Sequence, residues 1–188
     1  MTAPTHIAFS LSGAIALCRI SACSLDGAGF LLLVLGSLAP DIDTETSTIS
    51  KPGSILRRLI PRVLADLLDT FTQLISKLIR IFIGHRGAMH WPIIPLVLIA
   101  ISKYLEQELL FWFAWGYLFH ILGDFCTAGG IQLLGPFNKK FYSWSPLKTG
   151  SASEKILFVI LLCFIVVYGF ALLPEENQFW LETYLRVV

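Results

Sequence analysis

The chain has 188 residues, of which 55% are hydrophobic and only 14% charged, with a mean hydropathy of +0.72. A soluble domain carries roughly 25% charged residues, so the composition excludes an ordinary soluble globular domain and points to a membrane protein. The net charge of +1, with no continuous basic face, gives no ground for a nucleic-acid partner.

Met1 to His6 lacks the basic start of a signal peptide. Ile7–Cys23 therefore reads as a retained membrane helix, with Arg19 near one end where it can snorkel. Ala28–Pro40 is a second apolar run. At about 1.5 Å per residue it covers only about 20 Å, against a hydrocarbon core about 30 Å thick. It should end at Pro40 below the membrane surface and leave Asp41 and Asp43 inside the protein at lipid depth. In Ile55–Ile83 apolar residues recur at helical spacing among Arg57, Arg58, Arg62, Asp66, Asp69, Lys77 and Arg80. That pattern predicts an amphipathic helix lying in the interface, broken near Pro61; a soluble insertion packed on the bundle is the alternative. Trp91–Leu105, Leu109–Leu134 and Ile156–Leu173 supply three more membrane helices. Gly129-Gly130 offers a tight turn or helix end after Asp124, and Trp144 suits an interfacial aromatic belt. The expected fold is all-α: a single membrane domain, residues 1–188, of about five spans plus the interfacial helix.

The four cysteines, Cys18, Cys23, Cys126 and Cys163, have no CxxC spacing. They suggest neither a zinc knuckle nor a disulfide framework and read as packing residues.

Five spans put the termini on opposite sides. The N-terminal side holds Lys51, Arg57, Arg58, Arg62, Lys77, Arg80, Arg86, Lys139, Lys140, Lys148 and Lys155; the other holds Arg19, Lys103 and Arg186. The positive-inside rule makes the N-terminal side cytoplasmic. The tail with Glu175, Glu176 and Glu182 then faces outward.

All four histidines fall toward that same side. His6 precedes the first helix, Asp41 and Asp43 end the second, and His85 and His90 precede the third. The fourth helix carries His120 and Asp124, four residues apart and so on one face. His6, Asp41, Asp43, His85, His90, His120 and Asp124 are thus brought to one depth by a topology drawn without using them. Each has a plainer reading as a cap, a turn, a loop residue or a hydrogen-bonded pair. Intramembrane His and Asp are expensive to bury without partners, however, and mark function. Nitrogen with carboxylate oxygen is a ligand set for zinc, manganese or iron rather than calcium. Seven candidates leave room for two metal ions with a bridging carboxylate, or for one with outer partners.

The segments Thr5-His6, Gly36-Ser37-Leu38-Ala39-Pro40-Asp41-Ile42-Asp43, His85-Arg86 with His90, and Gly116 through Asp124 form an ordered set. The set continues through Thr127 and Gly130 to Leu133-Leu134-Gly135-Pro136-Phe137. It resembles the YdjM family of bacterial inner-membrane, LexA-regulated metal-dependent hydrolases. The resemblance covers residues 5 to about 137; from Gly150 onward no motif stands out. It implies a membrane-bound hydrolase in the bacterial inner membrane with the same seven residues as ligands. Two positions depart from the family pattern. Met89 and Trp91 flank His90 where hydroxyl residues are usual, and Phe119 stands where serine is. The His-x-x-x-Asp pair is also similar to that of zinc-dependent phospholipase C.

The expected activity is hydrolysis of a lipid or lipid-linked phosphoester at the cytoplasmic face, with zinc as the first choice of metal. Arg86, beside His85, is the candidate for holding a phosphate or a developing negative charge; its plainer reading is a lipid-headgroup contact. The alternatives are a transporter or ion-pathway component, and a non-catalytic membrane protein with a structural metal.

Overall fold

The computed structural model describes residues 1–21, 23–43, 47, 50–83, 87–145 and 147–169, with backbone alone for 43 and 79–83. His85, Arg86 and the Asp43 side chain lie outside the described residues, as does the C-terminal tail with Glu175, Glu176 and Glu182.

The fold is all-helical. Helix α1 spans Ala3–Ser21 and α2 spans Gly27–Leu38, running into a 3-10 turn at Ala39–Asp43. The short α3, Pro52–Leu56, precedes α4, Arg62–Ile83. A 3-10 turn at Ala88–His90 leads into α5, Ile93–Tyr104; α6 is Glu108–Phe125 and α7 is Ala152–Tyr168. Among the described residues there is no strand, only isolated bridges pairing Thr127 with Leu147 and Ile131 with Tyr142.

Helix α6 is the centre of the bundle, packed against α1, α2 and α5, while α7 packs on α1. Two glycines let α2 and α6 meet backbone to backbone. A Cβ on Gly36 would lie 2.0 Å from the Phe113 carbonyl oxygen, and one on Gly116 would lie 2.1 Å from that of Leu33. Small residues at a crossing are how membrane helices gain close packing without a hydrophobic drive. On the α1 side, Ser10 Oγ donates to the Gly116 carbonyl at 3.3 Å. Ala14, Cys18, Leu33 and Trp112 fill the core between these helices.

Polarity is distributed inside out. His6, His90, His120 and Asp124 are buried, while Leu31, Leu96, Ile156, Val159, Ile160 and Val166 are exposed. Helix α4 repeats the inversion. Its stripe Val63, Leu67, Phe71, Leu74 and Leu78 is exposed, whereas Asp69 and Ser76 are buried. The buried face holds Ser50 through a hydroxyl pair at 2.8 Å and Thr72 Oγ1 bonded to the Ser50 carbonyl. Part of the helix's polar side is exposed as well, at Asp66, Thr70 and Lys77. The expected break at Pro61 separates α3 from α4. Among the described residues, Ala3–Ser21 is the one helix long and apolar enough by itself to cross a membrane; Gly27–Ile42 and Ile93–Tyr104 are shorter apolar helices.

Two expectations need correction. The apolar run Leu109–Leu134 is not one helix: α6 stops at Phe125. Thr127 Oγ1 bonds the Asp124 carbonyl there, and Gly130 adopts a positive φ of 60° that turns the chain. The cysteines are not all packing residues either. Cys18 and Cys23 form a disulfide, because the chain leaving α1 turns back until their Cα atoms are 4.4 Å apart. Of the free pair, Cys126 is half-buried and Cys163 exposed. Trp144 is exposed, as an interfacial residue would be.

Candidate metal centre

Four elements converge where α6 nears its C-terminal end. His6 comes from the first turn of α1, Asp41 from the 3-10 turn after α2, His90 from the 3-10 turn before α5, and His120 with Asp124 from α6. All are buried except Asp41, whose side chain is 27% exposed.

The decisive distances lie among four atoms. Asp41 Oδ1 is 3.8 Å from His90 Nε2 and 3.7 Å from His120 Nε2. Asp124 Oδ2 is 3.5 Å from His90 Nε2 and 3.7 Å from His120 Nε2. These gaps exceed a good N–H···O hydrogen bond, which is about 2.7–3.2 Å. Ligand atoms at about 2.0–2.1 Å from a tetrahedral metal are separated from one another by roughly 3.4 Å. Asp41, His90 and His120 each bring one ligand atom within 4.8 Å of the others, close enough together to hold a metal ion. The other oxygen of Asp124 faces elsewhere: Oδ1 is 3.4 Å from His6 Nε2 and 2.8 Å from the Met1 amino group. His120 is shared by two clusters that could each hold an ion, one with Asp41 and His90 and one with His6 and Asp124.

The histidines are set for coordination. His120 Nδ1 lies 2.7 Å from the Ser37 carbonyl, so that nitrogen carries the proton and Nε2 presents its lone pair. Outer partners of this kind fix the tautomer of a ligating imidazole. His120 Nε2 has no hydrogen-bond partner among the described residues, an expense that a bound cation would remove. The His6 and His120 rings stack with centroids 3.7 Å apart. The donor set therefore fits a divalent metal of the zinc, manganese or iron type.

The residues flanking His90 have taken over its support. Tyr117 Oη donates to the Met89 carbonyl at 2.7 Å, and Trp91 Nε1 donates to Gln132 Oε1 at 2.9 Å. Trp91 also lies against Gly135, where a Cβ would come within 2.2 Å of the indole. One participant has no counterpart in the expected motifs. Glu154, buried in the first turn of α7 ahead of its apolar run, accepts from the backbone N–H of Thr2 and of Gly150. It ties α7 to the turn that delivers His6. A lone glutamate before an apolar run gives no signal in sequence, since the usual place for one is solvent.

A buried His/Asp cluster at one end of an inside-out helical bundle agrees with the match of a family profile to residues 1–185. The chain belongs to the YdjM inner membrane protein family. No curated protein and no solved structure matches it. The match runs beyond the motif-bearing segment to take in α7 and Glu154. The sites expected at His6, Asp41, His90, His120 and Asp124 come together; those expected at Asp43, His85 and Arg86 fall outside the described residues.

Proposed function

We propose that the chain is a metal-dependent hydrolase acting on a lipid or lipid-linked phosphoester at the cytoplasmic face of the inner membrane. The observation that carries this reading is the pair of His/Asp clusters that share His120, one with Asp41 and His90 and one with His6 and Asp124, each spaced so that it could hold an ion. In it α1, α2 with its 3-10 extension, α5, α6 and α7 are the five spans, the N-terminus is cytoplasmic, and α4 lies in the interface.

A bound zinc, manganese or iron would polarise the phosphoryl oxygen and lower the pKa of a water at the site. The protein's part is positioning. The Ser37 carbonyl holds the His120 tautomer, Asp124 divides its oxygens between two directions, and the partly exposed Asp41 marks the side from which substrate approaches. Arg86 would hold the phosphate, as a planar guanidinium binds it in two-pronged fashion. The apolar face of α4 would keep the substrate's leaflet at the mouth of the site.

One observation favours a second reading. Asp41, His90, His120 and Asp124 offer two nitrogens and two carboxylates, the ligand number of a closed structural zinc site. His6 argues for the open or two-metal form, since a closed site has no use for a fifth ligand. A transport role is less well supported, because the ionisable side chains share one depth instead of forming a chain across the bilayer.

The test pairs elemental analysis with hydrolysis of a panel of phospholipids and isoprenoid phosphates by purified protein, with and without chelator. Stoichiometric metal and chelator-sensitive phosphate or headgroup release are expected. Arg86→Ala should keep its metal and lose most turnover, with little recovery in Arg86→Lys. Fully metallated protein that hydrolyses none of the panel would put the structural-metal reading ahead.

A further inference from the structure

A groove of about 490 Å³ runs along the outside of the bundle between α1, α6 and α7. On α1 its wall is the stripe Phe9, Gly13, Ala16 and Ile20, at helical spacings of three and four residues. Followed one turn toward the N-terminus, that stripe reaches His6. On α6 the wall is Trp115 and Phe119; one turn further lies Gly123, where a Cβ would come within 3.0 Å of His6 Nδ1. Both walls therefore lead to the same imidazole. The Phe9 and Phe119 rings, 5.5 Å apart, line the end of the groove nearest His6 and His120. Phe119 lies over Gly13, where a Cβ would be 2.3 Å from its ring.

We propose that this groove seats one hydrocarbon chain of a lipid whose polar head lies at the His/Asp cluster. The inference rests on the hydrolase reading for what happens at the head, but the seat itself requires only that a lipid bind there. Three features select that occupant over a second helix or a water-soluble ligand. The groove is hydrocarbon along its whole length and its α1 and α6 walls lead at one end to the His/Asp cluster, so groove and cluster together have the polarity pattern of a single amphiphile. Its two bordering polar atoms, Ser12 Oγ and Trp115 Nε1, are buried, so a polar group along its length would find no accessible partner. Its span from Phe9 to Ile20 is about 17 Å of helix, close to half of a hydrocarbon core about 30 Å thick. A lipid of the N-terminal-side leaflet would lie in it head to site and tail to midplane, in the orientation it already has in the bilayer. Phe119, at the position where the family resemblance leads one to expect serine, closes the apolar wall next to His120.

The test uses the full-length protein in vesicles containing phosphatidylcholine dibrominated at mid-chain. Bromine quenches indole fluorescence on contact. A quenching component that saturates at a low mole fraction of brominated lipid, disappears in Trp115→Phe and is lost in Ala16→Phe is the expected result. Val166→Phe, on the lipid-facing side of α7 outside the groove, should keep it. Metal content in Ala16→Phe should match wild type, which separates a filled groove from a misfolded protein. Long-chain phosphatidic acid should show a KM raised at least about tenfold in Ala16→Phe, the loss of roughly two buried methylenes, while short-chain phosphatidic acid should not. Quenching that only follows the bulk lipid fraction, unchanged in Ala16→Phe, overturns the seat. If saturable quenching is found but no lipid is hydrolysed, the seat stands and the hydrolase reading falls. If lipid is hydrolysed with no chain-length effect of Ala16→Phe, the seat falls and the hydrolase reading stands.

Discussion

The two ends of the bundle treat their polar groups in opposite ways. At the end where α2 begins, each polar side chain is satisfied close by. Asp26 accepts from the Gly29 N–H at 2.6 Å as the cap of α2, Trp112 Nε1 reaches Glu108, and Lys103 sits over the Phe111 ring at 4.3 Å. A disulfide closes the turn. At the other end, five ionisable side chains from four elements face one another across gaps mostly too long for hydrogen bonds. Local satisfaction is what stability alone would select. Long-range convergence of His and Asp side chains from four elements is what a metal site requires, and the two clusters at this end could each hold an ion.

Removing ligands should break the contrast most severely. His120→Ala and Asp124→Ala are each expected to lower metal affinity by at least about 100-fold, beyond the 10–100-fold typical of an outer partner, read as metal retained after dialysis of detergent-purified protein. Asp26→Ala, at the other end, should cost only about 1 kcal/mol as a lost cap and leave metal content alone. Metal uptake by the wild type should weaken as pH falls, because imidazole must be neutral to coordinate. Unchanged metal in both ligand variants would remove the contrast altogether.

Gly116→Val tests how the functional end is held. The new side chain must displace the Leu33 carbonyl, and with it the Ser37 carbonyl one helical turn on that fixes His120. The expected loss is about 1–3 kcal/mol of stability accompanied by weaker metal binding. A lower Tm with wild-type affinity would uncouple the crossing from the site.

The smallest expected effect on the metal site belongs to the stapled end. Replacing Cys18 and Cys23 by serine should cost about 2 kcal/mol, the chain-entropy value for a loop with a sequence separation of 5, with metal content unchanged. The same pair reports topology. Disulfides persist in the periplasm and not in the cytosol, so Cys18 and Cys23 should resist alkylation until reduced. Immediate labelling of both would contradict an outward-facing α1–α2 turn.

Most of the helices and the functional end were legible in the sequence because polar residues stand out against apolar runs. His6, His120 and Asp124 interrupt segments that otherwise read as membrane helix, and Pro61 breaks the amphipathic pattern where α3 and α4 separate. What could not be read depends on where the chain goes after a helix ends. The residues after Phe125 remain apolar, with Ile131, Leu133 and Leu134, so hydropathy extends α6 past the point where Thr127 and Gly130 turn the backbone. The Cys18–Cys23 bond arises from a reversal just past Ser21, not from any spacing motif. Glu154 gains its role from two backbone donors, one of them at Thr2, a contact across the whole bundle with no local trace.

Helix α5 has 12 residues and so is about 18 Å long, while the hydrocarbon core is about 30 Å thick. A bilayer meeting a short helix thins around it, at fractions of a kcal/mol per Å of mismatch. His90 sits at the foot of that helix and Asp41 at the foot of the equally short α2. In the proposed five-span arrangement the leaflet would be drawn inward just where the cluster lies, and the phosphates of neighbouring lipids would sink toward it. A protein so placed would have no need to lift a lipid out of the membrane to reach its head; it would dimple the membrane and let the headgroup layer descend to the site.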